Sequence, residues 1–149
     1  MASADHFYAD PSALLKLYLH EAESRAMTAW RAKTSGPLAV THHGRVEIAN
    51  GLALAAHRGY LSEPAFRAAL AAVDDDFEHG RYRLADLLWR ATLARAGELS
   101  CAHTRQLGTR SLDVLHVASA LELGLKRFVT FDDRQQKLAR AVGLKVVVP

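Results

Sequence analysis

One cysteine in 149 residues, Cys101, cannot close an intrachain disulfide, and no Cys and His cluster has the spacing of a structural zinc cage. A reducing cytoplasm is therefore the expected compartment. No apolar run approaches the length that spans a bilayer, and Met1-Ala-Ser-Ala-Asp-His lacks a basic stretch leading into an apolar core, so neither anchor nor signal peptide is expected. Internal repeats, low-complexity tracts and linkers are also missing, which leaves a single domain over residues 1–149. Neither sign of charge dominates, with 19 Lys and Arg against 16 Asp and Glu, although 14 of the cations are Arg, whose planar fork grips phosphate in two places. The balance tilts toward a polyanionic partner only slightly. What the chain does have is apolar content, 50% of residues, and at this size roughly 68–70% of the unfolded surface can be buried without staples.

Short β-type runs alternate with longer helical stretches, the pattern of an α/β domain with a mostly parallel sheet. Five strands are expected, at Phe7–Ala9, Leu38–Thr41, Arg81–Leu84, Arg127–Phe131 and Lys145–Val148. Near-continuous apolar runs such as Phe128-Val-Thr-Phe and Val146-Val-Val suit parallel strands covered on both faces. Helices are expected over Ala13–Leu19, Glu21–Lys33, Arg45–His57 and Ala65–His79, from a cap at Asp86 to about Gln106, then over Leu112–Leu123 from a cap at Ser111, and over Arg134–Val142.

The acids fall in informative places on that scaffold. Asp10 follows the first strand and Asp132 the fourth. Ligands of open α/β sheets bind outside the carboxyl ends of the strands, where strand order reverses. With strands two and three on one side of strand one and strands four and five on the other, the two aspartates flank that crevice. Glu47 and Asp113 each sit in an apolar stretch, and a carboxylate embedded there needs a partner, which a divalent metal would supply.

Four segments carry a family resemblance: Tyr8-Ala-Asp-Pro-Ser-Ala-Leu-Leu-Lys-Leu-Tyr, Val46-Glu-Ile, Ser111-Leu-Asp-Val-Leu-His-Val-Ala-Ser-Ala, and Phe128-Val-Thr-Phe-Asp-Asp-Arg-Gln. In this order they resemble the four motifs of PIN-domain nucleases, most of all the toxin component of VapBC-type toxin–antitoxin pairs. The resemblance implies a three-layer α/β/α domain around a central five-stranded sheet. It makes Asp10, Glu47, Asp113 and Asp132 a catalytic, metal-binding acidic quartet, with Ser12 as a helper beside the first. It also implies an endoribonuclease dependent on Mg²⁺ or Mn²⁺, a homodimer, and a small antitoxin partner through which alone the protein meets DNA. Asp133 stands beside Asp132 as a rival for its role, and residues 60–100 carry no family motif.

All-oxygen ligands select Mg²⁺ or Mn²⁺ over Zn²⁺, and a hard ion can both lower the pKa of a bound water and clamp a phosphate oxygen. The expected products end in 5′-phosphate and 3′-hydroxyl. Lys16, Arg45, Arg110 and Arg134 flank the acids and are the cations expected to meet RNA phosphates. Other features read as structural: Trp30 and Trp89 as packing residues, His116 as a hydrogen-bonded packing residue, and His42-His43 as a turn. Asp74-Asp75-Asp76 reads as a solvated face, and Cys101 as a small buried residue. The alternative to the nuclease is a non-catalytic module of the same fold that binds RNA or protein. An aspartyl-phosphate phosphatase or receiver domain is disfavoured, because Asp10-Pro-Ser lacks a second aspartate and no Lys ends a strand in the receiver position.

Overall fold

The computed structural model describes residues 1–149. Five parallel strands form the central sheet: β2 (Phe7–Ala9), β4 (Leu38–Thr41), β5 (Tyr82–Ala85), β6 (Arg127–Val129) and β7 (Lys145–Val147). Their order, β5-β4-β2-β6-β7, puts the reversal at β2, the arrangement in which Asp10 and Asp132 flank one crevice. A separate two-stranded ribbon, which the sequence did not announce, pairs β1 (Ala2–Ser3) with β3 (Thr34–Ser35).

The period of two along β2 divides the core. Phe7 and Ala9 face one layer, together with Ala13 and Leu14 of α1 (Pro11–Leu15), Met27 of α2 (Ser24–Ala32), Ile48 and Leu52 of α3 (His42–His57) and Val73 of α4 (Glu63–Glu78). Tyr8 faces the other, with Val114, Val117 and Ala120 of α7 (Ser111–Glu122) and Leu138 and Ala139 of α8 (Asp133–Ala141). Helix α5 (Trp89–Leu99) closes that second layer and runs through a π-helical segment, Ser100–Thr104, into the short α6 (Arg105–Leu107). Each layer covers one face of the sheet, which explains strands that read as continuous apolar runs. No helix is long and apolar enough to cross a membrane.

Several local expectations need correction. Strand three is shifted by one residue, and strands four and five end at Val129 and Val147. The helices expected over 13–19 and 21–33 are the shorter α1 and α2, with turns between. His42 and His43 are not a turn: they open α3, because the Thr41 hydroxyl accepts the Gly44 amide at 3.0 Å and caps the helix three residues earlier. Asp86 caps nothing; its carboxylate lies 3.1 Å from His42 Nε2, and α5 starts at Trp89. Ser111 is the first residue of α7 rather than its cap. Cys101 is exposed, on the π-helical segment. Nor is the acidic run uniformly solvated: Asp76 accepts from the Tyr18 hydroxyl and pairs with Arg81 at 2.9 Å. Ser62, as expected, opens α4, accepting the Ala65 amide at 3.2 Å with Pro64 in the first turn.

Helices α1 and α3 approach closely because Gly51 has no side chain. A Cβ built there would lie 2.4 Å from Leu15 Cδ1. Gly51→Val should therefore push the helices apart and lower stability by about 1–3 kcal/mol, read as a drop in Tm, and Leu15→Ala on the same background should recover part of it.

Candidate active site

Asp10 is placed by three constraints. Its amide donates to the Val129 carbonyl at 3.0 Å, continuing the β2–β6 pairing one residue beyond β2. Its backbone is extended, followed by Pro11 at the start of α1, so that Asp10 is itself the cap of that helix. Its carboxylate turns back onto Ser12, which donates both its amide, at 3.0 Å, and its hydroxyl to Oδ2. The residue is only 4% exposed, and no Lys, Arg or His nitrogen pairs with it. A buried carboxylate without a countercharge is costly, and neutral hydrogen bonds offset only part of that cost.

Asp132 caps α8, accepting the Gln135 amide at 2.7 Å, while its own amide donates to Thr130 Oγ1 at 3.1 Å. Asp133 is the first residue of α8 and takes no part in the cap. Asp113 lies in the first turn of α7, where Arg110 reaches it at 3.3 Å. Burial pushes the Asp113 carboxyl above its ordinary range, and the charges of Asp10 and Asp132 push it the same way against the pull of Arg110. Three of the four expected acids therefore share one electrostatic neighbourhood.

Glu47 arrives from the other side, on the second turn of α3, and its Oε2 is gripped by Nε2 of His116. His116 is 1% exposed and also meets the Tyr8 hydroxyl through Nδ1 at 2.7 Å. It is the hydrogen-bonded, buried residue that its sequence setting suggested. The identity of its partner, Glu47, emerges only from the fold. The ring of His43 stacks on His116 at 4.7 Å between centroids, with Trp89 beyond it at 5.1 Å. Burial, reinforced by His116, lowers the pKa of His43 to about 4. Trp30 packs edge-on against Phe7 at 5.2 Å, whereas Trp89 is 41% exposed.

Gln135, the last residue of the fourth motif segment, belongs to the site although the resemblance gives it no role. Fully buried, it donates from Nε2 to Asp10 Oδ1 at 2.9 Å and to the Asp113 carbonyl at 3.2 Å, and accepts from Thr130 Oγ1 at 2.6 Å. One amide thus ties the ends of β2, β6 and α7 together. The available signal is a polar residue three positions after a helix-capping aspartate, at a place where α8 turns toward the sheet.

The four flanking cations differ in what they already do. Lys16 pairs with Glu21 at 2.7 Å and Glu23 at 2.9 Å, and these bonds outweigh burial and raise its pKa. Arg45 lies over the Phe77 ring at 4.1 Å and reaches Asp74 at 3.1 Å. Both are engaged within the fold. Arg110 stays 78% exposed beside Asp113, and Arg134 donates to the Gly108 carbonyl at 3.2 Å from the exposed surface.

The donor set of the crevice is all carboxylate oxygen, which suits a hard divalent cation, and Asp10 lacks a countercharge that such an ion would provide. No three of these side chains stand at coordination spacing in this structure. The mutual repulsion makes Asp113→Asn informative. Because the folded pKa of Asp113 lies above its unfolded value, its charge opposes folding above that pKa, and the penalty disappears as pH falls below the unfolded value. Asp113→Asn should raise the Tm of the metal-free protein at pH 7, with the gain shrinking on acidification, and should abolish stabilisation by Mg²⁺. A large loss of stability in EDTA would instead make Asp113 a structural partner of Arg110.

A parallel five-stranded sheet with acids at its point of reversal, flanked by two helical layers, is the PIN-domain architecture; the PIN domain family model matches residues 7–141, and the chain belongs to that family. Within it, the chain is a homologue of the VapC ribonuclease toxins. It is 32% identical over 144 residues to Ribonuclease VapC46 of Mycobacterium tuberculosis (strain ATCC 25618 / H37Rv), covering 95% of this chain and 96% of that one. The fold also matches the crystal structure of M. tuberculosis VapC20, described as a sarcin-ricin loop cleaving toxin, with TM-score 0.69 at 19% identity over 96% and 99% of the two chains. PAE2754 from Pyrobaculum aerophilum superposes with TM-score 0.60 at 20% identity over 97% and 90%.

Proposed function

We propose that this protein is a Mg²⁺- or Mn²⁺-dependent endoribonuclease, the toxin of a type II toxin–antitoxin pair, acting in the cytoplasm through Asp10, Glu47, Asp113 and Asp132. The observation that carries the reading is Asp10, a buried carboxylate at the sheet's point of reversal with no cationic partner, close enough to Asp113 to disturb its ionisation. Asp10, Asp113, Asp132 and Glu47 would hold the metal, with Ser12 supporting Asp10. Bound there, the ion supplies water activation and charge stabilisation at the scissile phosphate.

The chain's own residues do the rest. Ser12 and Gln135 fix both oxygens of Asp10, so its remaining lone pairs face the crevice. Arg110 and Arg134 stand at the rim, where phosphates of a bound strand would pass. Arg110→Ala and Arg134→Ala should each weaken RNA binding and lower the salt slope of log K by about 0.7 for every phosphate that is no longer neutralised, as for single strands. Lys16→Ala should change the slope little, because Glu21 and Glu23 already neutralise its charge.

That VapC46 is a ribonuclease and VapC20 a sarcin-ricin loop cleaving toxin supports structured RNA as the substrate. The same relationship supports a homodimer and a small antitoxin as partners. Two grooves, of about 530 and 710 Å³, share Leu17, Tyr18, Thr28 and Ala32 and give an antitoxin segment room beside α2. The deciding experiment is end analysis of RNA cut in Mn²⁺ and in EDTA. Cleavage only in Mn²⁺, leaving 5′-phosphate and 3′-hydroxyl, is expected. Ends bearing 2′,3′-cyclic phosphate, or equal cleavage in EDTA, would overturn the reading.

A further inference from the structure

Glu47 stands apart from the other three acids. Asp10, Asp113 and Asp132 come from the ends of β2, α7 and the β6–α8 turn, and Gln135 contacts all three of those segments. Glu47 comes from α3 in the opposite layer, and its only side-chain hydrogen bond is to His116. A glutamate has three rotatable side-chain bonds, so on a helix surface it samples many rotamers unless something fixes it. Its Oε1 accepts no hydrogen bond from the protein.

The bonds around His116 specify its hydrogens. A carboxylate only accepts, so the hydrogen shared between Glu47 Oε2 and His116 lies on Nε2, which leaves Nδ1 to accept from the Tyr8 hydroxyl, 2% exposed and 2.7 Å away. Burial holds Tyr8 as the phenol by raising its pKa. The plane of the ring is set by its neighbours: Tyr8 lies 5.8 Å away and tilted, and His43 stacks at 4.7 Å with 28° between planes. His116 is also three residues from Asp113, hence on the same side of α7. One helix therefore contributes one acid of the crevice and grips another that belongs to a different layer.

We propose that His116 is a positioning residue: held between Tyr8 and Glu47, it donates from Nε2 to Glu47 and holds that carboxylate with Oε1 turned to the acidic crevice. The inference rests on the reading of that crevice as a metal site. A buried histidine that merely satisfies its own nitrogens would affect stability alone, whereas a group that aims a metal ligand affects metal affinity, by about 10–100-fold in known metal sites.

The test is Mn²⁺ titration calorimetry at fixed pH and salt, with thermal melts in EDTA alongside. His116→Leu should weaken Mn²⁺ binding by about 10–100-fold. His116→Gln, whose amide nitrogen reaches the place of Nε2, should restore affinity close to that of the wild type. Tyr8→Phe keeps the packed ring and removes only the hydroxyl that holds Nδ1, so it should fold and show a smaller loss in the same direction. On a Glu47→Gln background, His116→Leu should cause no further loss, since the effect travels through Glu47. Unchanged Mn²⁺ affinity in both His116→Leu and Tyr8→Phe would overturn the proposal while leaving the metal site standing. Should His116→Leu fail to fold, unchanged affinity in Tyr8→Phe overturns it alone. If the wild type itself binds no Mn²⁺, the acidic-site reading fails and this inference fails with it.

Discussion

Asp10→Asn should leave a folded protein that binds Mn²⁺ poorly and cuts RNA on the order of 10²–10³-fold more slowly than the wild type, the size of effect expected when one well-placed electrostatic group is removed from a transition state. The fold should survive because Asn caps a helix as well as Asp does, so the Ser12 amide and hydroxyl keep an acceptor. One interaction suffers: the new amide nitrogen faces Gln135 Nε2, setting donor against donor across what is now a 2.9 Å bond. Rotating the Gln135 amide would repair that pairing but would place its oxygen against the Asp113 carbonyl. Losing one hydrogen bond to a carboxylate costs about 1.5–3 kcal/mol, and removing a buried unpaired charge returns a comparable amount, so Tm in EDTA should move little. Activity and Mn²⁺ affinity should fall together. Wild-type cleavage rates in Asp10→Asn would remove the central residue from the site, and a collapsed Tm would reassign Asp10 to the architecture of α1.

The parts of this fold that are legible in the sequence are those dictated by local pattern. Apolar strands at Phe7, Leu38, Phe128 and Val146, separated by capped helices, admit few arrangements, and among these the fold takes the order that reverses at β2. Asp10 and Asp132 can be placed because each follows a strand directly or within three residues. Element ends are less legible: the Thr41 hydroxyl extends α3 back to His42, α1 stops at Leu15, and α2 starts only at Ser24. The β1–β3 ribbon has no hydrophobic signature, since Ala2, Ser3, Thr34 and Ser35 are held by backbone pairing.

Two polar residues show the deeper limit. Gln135 is bonded to a residue 125 positions away, and His116 to one 69 positions away. Nothing in either neighbourhood tells which distant group will be opposite, because that depends on packing between layers and not on periodicity. His116 can be recognised as buried and hydrogen-bonded, while its partner cannot. Cys101 shows the converse error. A small thiol suggests burial by its residue type alone, but Cys101 lies exposed on the π-helical segment.

The most destabilising single change in the site should be Gln135→Glu. It alters one atom of the side chain while reversing what that atom offers: the group that donates to Asp10 at 2.9 Å and to the Asp113 carbonyl at 3.2 Å becomes an acceptor facing two acceptors. Were the new carboxyl ionised, two charges about 4 Å apart would repel by about 4 kcal/mol at an effective dielectric of 20, in a place without a countercharge. Protonation relieves this, but the neutral acid supplies one hydrogen where the amide supplied two, so one of the two acceptors loses its bond. A loss of about 2–4 kcal/mol at pH 7 follows, which for a chain of this size lowers Tm by about 2–4 °C per kcal/mol. The dependence on pH distinguishes this from a packing defect. The new carboxyl has a folded pKa above its unfolded value, so the penalty is greatest above that pKa and fades as pH falls through the carboxylate range. Gln135→Leu leaves the same acceptors unpaired, at about 1–3 kcal/mol, without introducing a titrating group, so its deficit should stay flat over the same interval. Parallel melts of the two variants in EDTA from pH 7 to pH 4, each referred to the wild type, therefore separate charge from missing hydrogen bonds. Equal, pH-independent losses would show that neither burial nor Asp10 shifts the new carboxyl, and wild-type stability in both would show that the Gln135 bridge does not hold the crevice together.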